Sequence, residues 1–175
     1  KSIAYTSSIL GNNLSVATGY ALGNQVFTKN GVVFVVTGDG AIEEGSFWES
    51  LVFMKSNNLS VLIIVENNQW SLGTKIEDRR CDIYLDKLAK SLEIDYISLQ
   101  GNDPFEYINI LNSCRNKSFE NNCPVILEVH LTTLGYWYME TEEYPSGKFI
   151  NYHAGPAPEV GIENYPLISA SNEDP

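Results

Sequence analysis

The sequence predicts an α/β fold: a doubly wound parallel sheet in a Rossmann-like, three-layer αβα arrangement. Two runs, Val32–Thr37 (VVFVVT) and Val61–Glu66 (VLIIVE), are strand-length and rich in β-branched residues, as expected of strands buried on both faces. Segments of helical periodicity separate these and later strands. Crossovers of that length impose parallel pairing, with helices on both sides of the sheet. A length of 175 residues suits one domain with a real core rather than two.

The elements follow in chain order. Leu14–Val26 reads as a helix in which Ala17, Gly19, Ala21 and Gly23 make a narrow face for close packing. The strand Val32–Thr37 leads to a helix over Ala41–Ser56, with Phe47, Trp48, Leu51, Val52 and Lys55 at three-four spacing. After the strand Val61–Glu66, the polar stretch Asn67–Asp82 reads as loop. Ile83–Leu92 then sets Leu85, Leu88, Ala89 and Leu92 on one helical face. Tyr96–Leu99 is a short strand. Asp103 caps the next helix with Pro104 in its first turn, where a missing N–H is harmless, and Phe105, Ile108 and Leu111 form its expected buried stripe. Val125–Leu131 is the last strand. Periodicity fails after Leu134, which divides the chain into a domain over 1–133 and an irregular loop or arm over 134–175, packed on that domain or on a partner.

Eleven basic and 22 acidic residues give a formal charge of −11, against nucleic acid or an anionic membrane as partner, since both select a basic face. The apolar runs are too short to span a bilayer. Cys81, Cys114 and Cys123 lack metal or redox spacing and suit a reducing cytoplasm.

Ligands of an open parallel sheet bind beyond the carboxyl ends of its strands, where following helices aim N–H groups outward. Thr37-Gly38-Asp39-Gly40-Ala41 lies at one such end. Glycines beside Asp39 allow a sharp turn and close approach of an anion, and the amides of Gly40 and Ala41 suit a phosphate. A carboxylate belongs beside phosphates only if a divalent cation separates them. The next strand ends in Glu66-Asn67-Asn68-Gln69-Trp70, whose amide and backbone oxygens are hard ligands of the kind Mg²⁺ or Ca²⁺ prefers. Either turn alone is commonplace. Each ending a buried strand, with one helix between them, they form a specific pattern.

The stretch GDGAIEEGSFWESLVFMKSNNLSVLIIVENNQW resembles the signature of thiamine-diphosphate enzymes, and is most similar to the alpha subunits of the first component of 2-oxo acid dehydrogenase complexes. SSILGNNLSVATGYALG, LQGNDPFEYINIL and PVILEVHLTT resemble flanking family elements, so the likeness covers residues 7–133. It implies that Asp39 and Asn68 bind Mg²⁺ (or Ca²⁺) by side chain and Trp70 by its backbone oxygen. It implies also that Gly38, Gly40 and Ala41 hold the diphosphate, and that the backbone at Ser8 and Leu10 meets the aminopyrimidine. Leu10 reads equally as a core residue. His153, in His-Ala-Gly-Pro, is similar to the family's catalytic loop histidine near the diphosphate, although Gly135–Asn151 departs from the family and lacks its Tyr-Arg element. Glu43 and Glu44 fall in the expected first helical turn, and His130 reads as a satisfied sheet residue.

In the resembled family the acid that protonates the aminopyrimidine is a glutamate of a separate pyrimidine-binding domain, on the beta chain in two-subunit enzymes. No residue here fills that role, so the chain reads as a fragment or shortened subunit. The implied protein is a heteromeric or homo-oligomeric, thiamine-diphosphate-dependent oxidoreductase that decarboxylates a 2-oxo acid and passes an acyl group to a lipoyl acyltransferase. A split transketolase-like subunit is the first alternative, disfavoured by the presence of only His130 and His153. A non-catalytic scaffold is the second, disfavoured by the Asp39/Asn68 pair.

Overall fold

Helix α1 (Asn12–Val26) leads to strand β1 (Val33–Gly38), a 3-10 turn (Ala41–Glu43), helix α2 (Gly45–Ser56) and strand β2 (Val61–Asn67). A small antiparallel pair, β3 (Trp70–Ser71) with β4 (Thr74–Lys75), precedes helices α3 (Ile76–Arg79) and α4 (Leu85–Ser91). Strand β5 (Asp95–Gln100), helix α5 (Pro104–Asn121) and strand β6 (Val125–His130) complete the sheet, and β7 (Tyr136–Met139) pairs antiparallel with β8 (Lys148–Asn151). These elements come from a computed structural model, which describes residues 3–71, 74–101, 103–131, 136–139, 142, 145 and 148–151.

The main sheet runs β1-β2-β6-β5, and all its pairs are parallel. Side chains alternate between its faces. Val35, Val61, Ile63, Val65 and Ile126 pack under α1, α2 and α4, against Leu14, Ala17, Phe47, Leu51, Met54, Leu85 and Ala89. Leu62, Leu99, Val125, Leu127 and Val129 face the other way and meet Cys114 of α5. Helices on both faces make the expected αβα sandwich, with β2 and β6 at its centre.

The structure corrects several expectations. Strand β1 is an edge strand buried on one face only, because Phe34 and Val36 remain about half exposed on the side that α5 covers for its neighbours. The helix expected over Ala41–Ser56 is broken: Glu44 is extended (φ −74°, ψ 139°), so Glu43 belongs to the 3-10 turn and Glu44 only caps α2. In α1 the buried residues are Leu14, Ala17, Thr18 and Ala21, whereas a Cβ at Gly19 or Gly23 would meet nothing within 4 Å. The stretch Asn67–Asp82 holds β3, β4 and α3 rather than plain loop.

Helix α5 is turned so that, of the expected stripe, only Leu111 packs on the core. Phe105 and Ile108 are exposed, while Cys114 and Ser118 are fully buried and Tyr107, Ile110 and Leu111 pack beside them. Close approach of helix to sheet selects small side chains at the contact, and the Ser118 hydroxyl donates to the Cys123 carbonyl at 2.9 Å. The N-terminus of α5 is as expected: the Asp103 side chain accepts from the Phe105 amide at 2.9 Å, with Pro104 in the first turn.

Candidate functional site

Parallel pairing aligns Gly38 of β1 with Glu66 of β2, so both strands end at one edge and their following turns lie side by side. The Asp39 N–H donates to the Glu66 carbonyl at 3.1 Å and ties the first turn to the second. The Asp39 side chain then turns inward and is only 4% exposed. Burial pushes its carboxyl above the usual carboxylate range, opposed first by the Arg79 charge and then by the Gly40 amide, Arg80 and the Gln69 amide.

The second turn is shaped by its own side chains. Asn67 Oδ1 accepts from the Gln69 amide at 3.1 Å and Asn68 Oδ1 from the Trp70 amide at 3.0 Å, two successive Asx interactions. Gln69 between them adopts a left-handed φ of 63°. Neighbouring β6 fixes the turn from outside. Asn67 Nδ2 donates to Glu128 Oε1 at 2.7 Å, the Tyr96 hydroxyl donates to Glu128 Oε2 at 2.6 Å, and the Leu131 amide donates to the Asn67 carbonyl at 2.9 Å.

Beyond this turn, β3 and β4 bring the chain back so that Arg79, ending α3, and Arg80, just after it, lie over the first turn. Arg79 Nη1 is 2.9 Å from Glu43 Oε1, and its Nη2 is 3.7 Å from Asp39 Oδ1. Arg80 Nε donates to the same Glu43 oxygen at 2.9 Å, and its Nη1 to the Cys81 carbonyl at 3.0 Å. Among the described residues, the buried side-chain atoms without a hydrogen-bond partner are Thr37 Oγ1, Asp39 Oδ2, and Nε and Nη2 of Arg79. Every one of them lies on or against the Gly-Asp-Gly turn.

Gly40 has φ −74°, which any residue can adopt, so its role is space rather than freedom to turn. A Cβ there would lie 2.8 Å from Ser71 Oγ and 2.9 Å from Arg79 Nη1. Gly40 and Ala41 open a single 3-10 turn and not α2 itself.

Gly38, Asp39, Gly40, Ala41, Asn68 and Trp70 thus stand on two adjacent strand ends. Ser8 and Leu10 lie in the turn before α1 and are exposed, so the core reading of Leu10 is overturned. That turn meets the start of α2 through Gly11 (φ 75°), whose carbonyl accepts from the Ser46 hydroxyl at 3.2 Å. His153 lies outside the described residues. His130 sits at the end of β6, with its Nε2 3.1 Å from Ser98 Oγ, as a sheet residue held by a neighbour. Among the described residues no three His, Cys, Asp or Glu side chains cluster as a metal site, and no helix is long and apolar enough to cross a membrane. Arg79 was not anticipated. The available signal was an Arg-Arg pair just after the second turn, in a chain with only 11 basic residues.

Comparison with known proteins decides the family. Residues 1–135 match the family described as Dehydrogenase E1 component. The chain belongs to this family. Among its E1 relatives, a pyruvate dehydrogenase E1 component subunit alpha from Rickettsia prowazekii (strain Madrid E) is 32% identical over 123 residues, covering 69% of this chain and 37% of the relative. Its counterpart from Acholeplasma laidlawii is 25% identical over 130 residues, covering 74% of this chain and 38% of the relative. This E1 chain therefore spans well under half the length of the relatives it matches. An X-ray structure from Mycobacterium smegmatis, of a protein assigned to the thiamin diphosphate-dependent enzymes, superposes with a TM-score of 0.53 at 15% identity. It covers 68% of this chain and 22% of that one, and supports the fold.

Proposed function

We propose that this chain is the alpha-type, diphosphate-binding half of a thiamine-diphosphate-dependent 2-oxo acid dehydrogenase, an oxidoreductase that works with a pyrimidine-binding, beta-type partner in a reducing compartment such as the cytoplasm. The observation that carries the reading is the buried Asp39 carboxylate, with Oδ2 left without a hydrogen-bond partner among the described residues, at a strand end beside the Asn67–Trp70 turn. A desolvated acceptor of this kind is costly unless a cation meets it. The neighbouring oxygens are hard and neutral, which suits Mg²⁺.

On this reading Asp39 and Asn68 hold Mg²⁺ by side chain and Trp70 by its backbone oxygen. Gly38, Gly40 and Ala41 border the diphosphate, where the missing Cβ of Gly40 leaves room. Ser8 and Leu10 offer backbone to the aminopyrimidine, and their exposure agrees with a partner covering that half of the cofactor. His153, outside the described residues, is the catalytic histidine of this reading. Bound thiamine diphosphate supplies the electron sink for decarboxylation of a 2-oxo acid. This chain anchors the charged end of the cofactor, while the partner contributes the glutamate and a lipoyl acyltransferase receives the acyl group.

Calorimetric titration with thiamine diphosphate and Mg²⁺, with the partner subunit present, tests the assignment. Asp39→Ala is expected to abolish Mg²⁺-dependent binding with the fold retained, and Asp39→Asn to weaken it less. Unchanged affinity in Asp39→Ala removes Asp39 from the site and the reading with it.

A further inference from the structure

The geometry points to Arg79 as a ligand for the phosphate oxygens of a metal-chelated diphosphate, an inference that rests on the diphosphate-binding reading above. Arg79 is held in place by Glu43, which engages Nη1 at 2.9 Å, and its side chain is only 12% exposed. Its Nε and Nη2 are buried and have no hydrogen-bond partner among the described residues, and the Asp39 Oδ1 at 3.7 Å from Nη2 attracts by charge without forming a bond. Nε and Nη2 lie on one edge of the guanidinium plane and present parallel N–H groups, the fork that meets two oxygens of a phosphate or carboxylate at once.

On the carboxylate whose Oδ1 lies 3.7 Å from Nη2, Asp39 Oδ2 is a buried acceptor that also lacks a partner among the described residues. Orphans of opposite sign beside one another call for a ligand that carries both signs. A divalent cation answers the carboxylate, and the phosphate oxygens bound to that cation answer the guanidinium. Gly40 lets the turn pack closely on this guanidinium, since a Cβ there would come 2.9 Å from Arg79 Nη1. Arg80 is built differently, with Nε committed to Glu43 and Nη1 to the Cys81 carbonyl, so it serves as structure.

The test uses the full chain in the assembly in which it is isolated, titrated with inorganic pyrophosphate and with thiamine diphosphate, each with Mg²⁺. Arg79→Gln removes both charge and fork. Arg79→Lys keeps the charge that balances Asp39 and Glu43 but loses the planar edge, and circular dichroism confirms folding of each variant. Arg79→Gln is expected to weaken pyrophosphate binding by about tenfold to a hundredfold. Arg79→Lys is expected to weaken it by about tenfold while melting near the wild-type temperature.

Unchanged or tighter pyrophosphate binding in Arg79→Gln overturns the proposal, since Arg79 would then be a counterion that competes with the metal. An equal loss in Arg80→Gln overturns it as well, because the effect would be general charge. Pyrophosphate binding that depends on Arg79, in a chain that ignores thiamine diphosphate, keeps this inference and removes the thiamine reading. Thiamine diphosphate binding indifferent to both Arg79 variants does the reverse.

Discussion

Asn67 at the end of β2 donates from Nδ2 to Glu128 Oε1 of β6 at 2.7 Å, so a carboxylate on the neighbouring strand fixes how the second turn is presented. With Nδ2 committed, the amide oxygen of Asn67 faces the Gln69 N–H, and the chain enters the bend that displays Asn68 and Trp70. Glu128 also takes the Tyr96 hydroxyl at 2.6 Å, which joins three successive strands of the sheet at one acceptor.

Glu128→Gln replaces one of those two acceptor oxygens by an NH₂ group, so either Asn67 or Tyr96 loses its acceptor. The expected loss of stability is about 1–2 kcal/mol, measured by urea denaturation. A double-mutant cycle with Asn67→Ala is expected to show coupling between the two positions, and strict additivity would mean that the hydrogen bond contributes nothing.

Tyr96 gives the fold a dependence on alkaline pH. Burial first, then its hydrogen bond to Glu128 and that residue's charge, push the phenol from 10.0 up to about 12. The folded state favours the neutral phenol, so its contribution is complete below about pH 10 and is lost as pH rises through about 12. Tyr96→Phe is expected to flatten the fall in denaturation midpoint across that interval.

Gly40→Ala tests the role of space. Its Cβ would sit 2.8 Å from Ser71 Oγ and 3.0 Å from Ser71 Cβ, so Ser71 and Arg79 must move. A loss of about 1–3 kcal/mol is expected from the overpacking, with partial recovery in the Gly40→Ala, Ser71→Gly pair. Full wild-type stability of Gly40→Ala alone would show that the neighbours yield freely.

The orientation of α5 is open to a simple comparison. Phe105 is 76% exposed and Cys114 fully buried. Phe105→Ser is expected to change stability by no more than about 0.5 kcal/mol. Cys114→Leu, which adds volume against β6, is expected to cost about 1–3 kcal/mol. Thermal or urea unfolding of the two variants reads the difference directly.

Elements with strong local chemistry were legible in the sequence. The apolar run of β2 and the Asp103-Pro104 start of α5 declare themselves through side-chain type alone. So did the two turns, because a carboxylate between glycines and paired asparagines are recognisable where they follow strands. Features set by neighbours were not legible. Phe34 and Val36 look like core residues until β1 is seen to be the edge strand, and Ile108 looks like core until the small Cys114 is seen at the helix–sheet contact. Arg79 reaches Asp39 only because the Trp70–Lys75 pairing folds the chain back, a tertiary event with no periodicity to announce it.

The order of strands also decides when, during synthesis, this site can exist. Strand β2 lies between β1 and β6, and Leu62 pairs with Val125, so the strand carrying Asn67 keeps one flank open until the chain has been made as far as β6. Non-local parallel pairing of this kind is slow and leaves apolar strands uncovered in the meantime. Glu128, which clasps Asn67, arrives with β6, and Leu131 directly after it. A nascent chain released before Val125 would carry the Gly-Asp-Gly turn and both asparagines yet lack the strand that sets their geometry. The second turn therefore takes its final shape late in synthesis, completed by Glu128 and Leu131, far downstream of Asp39.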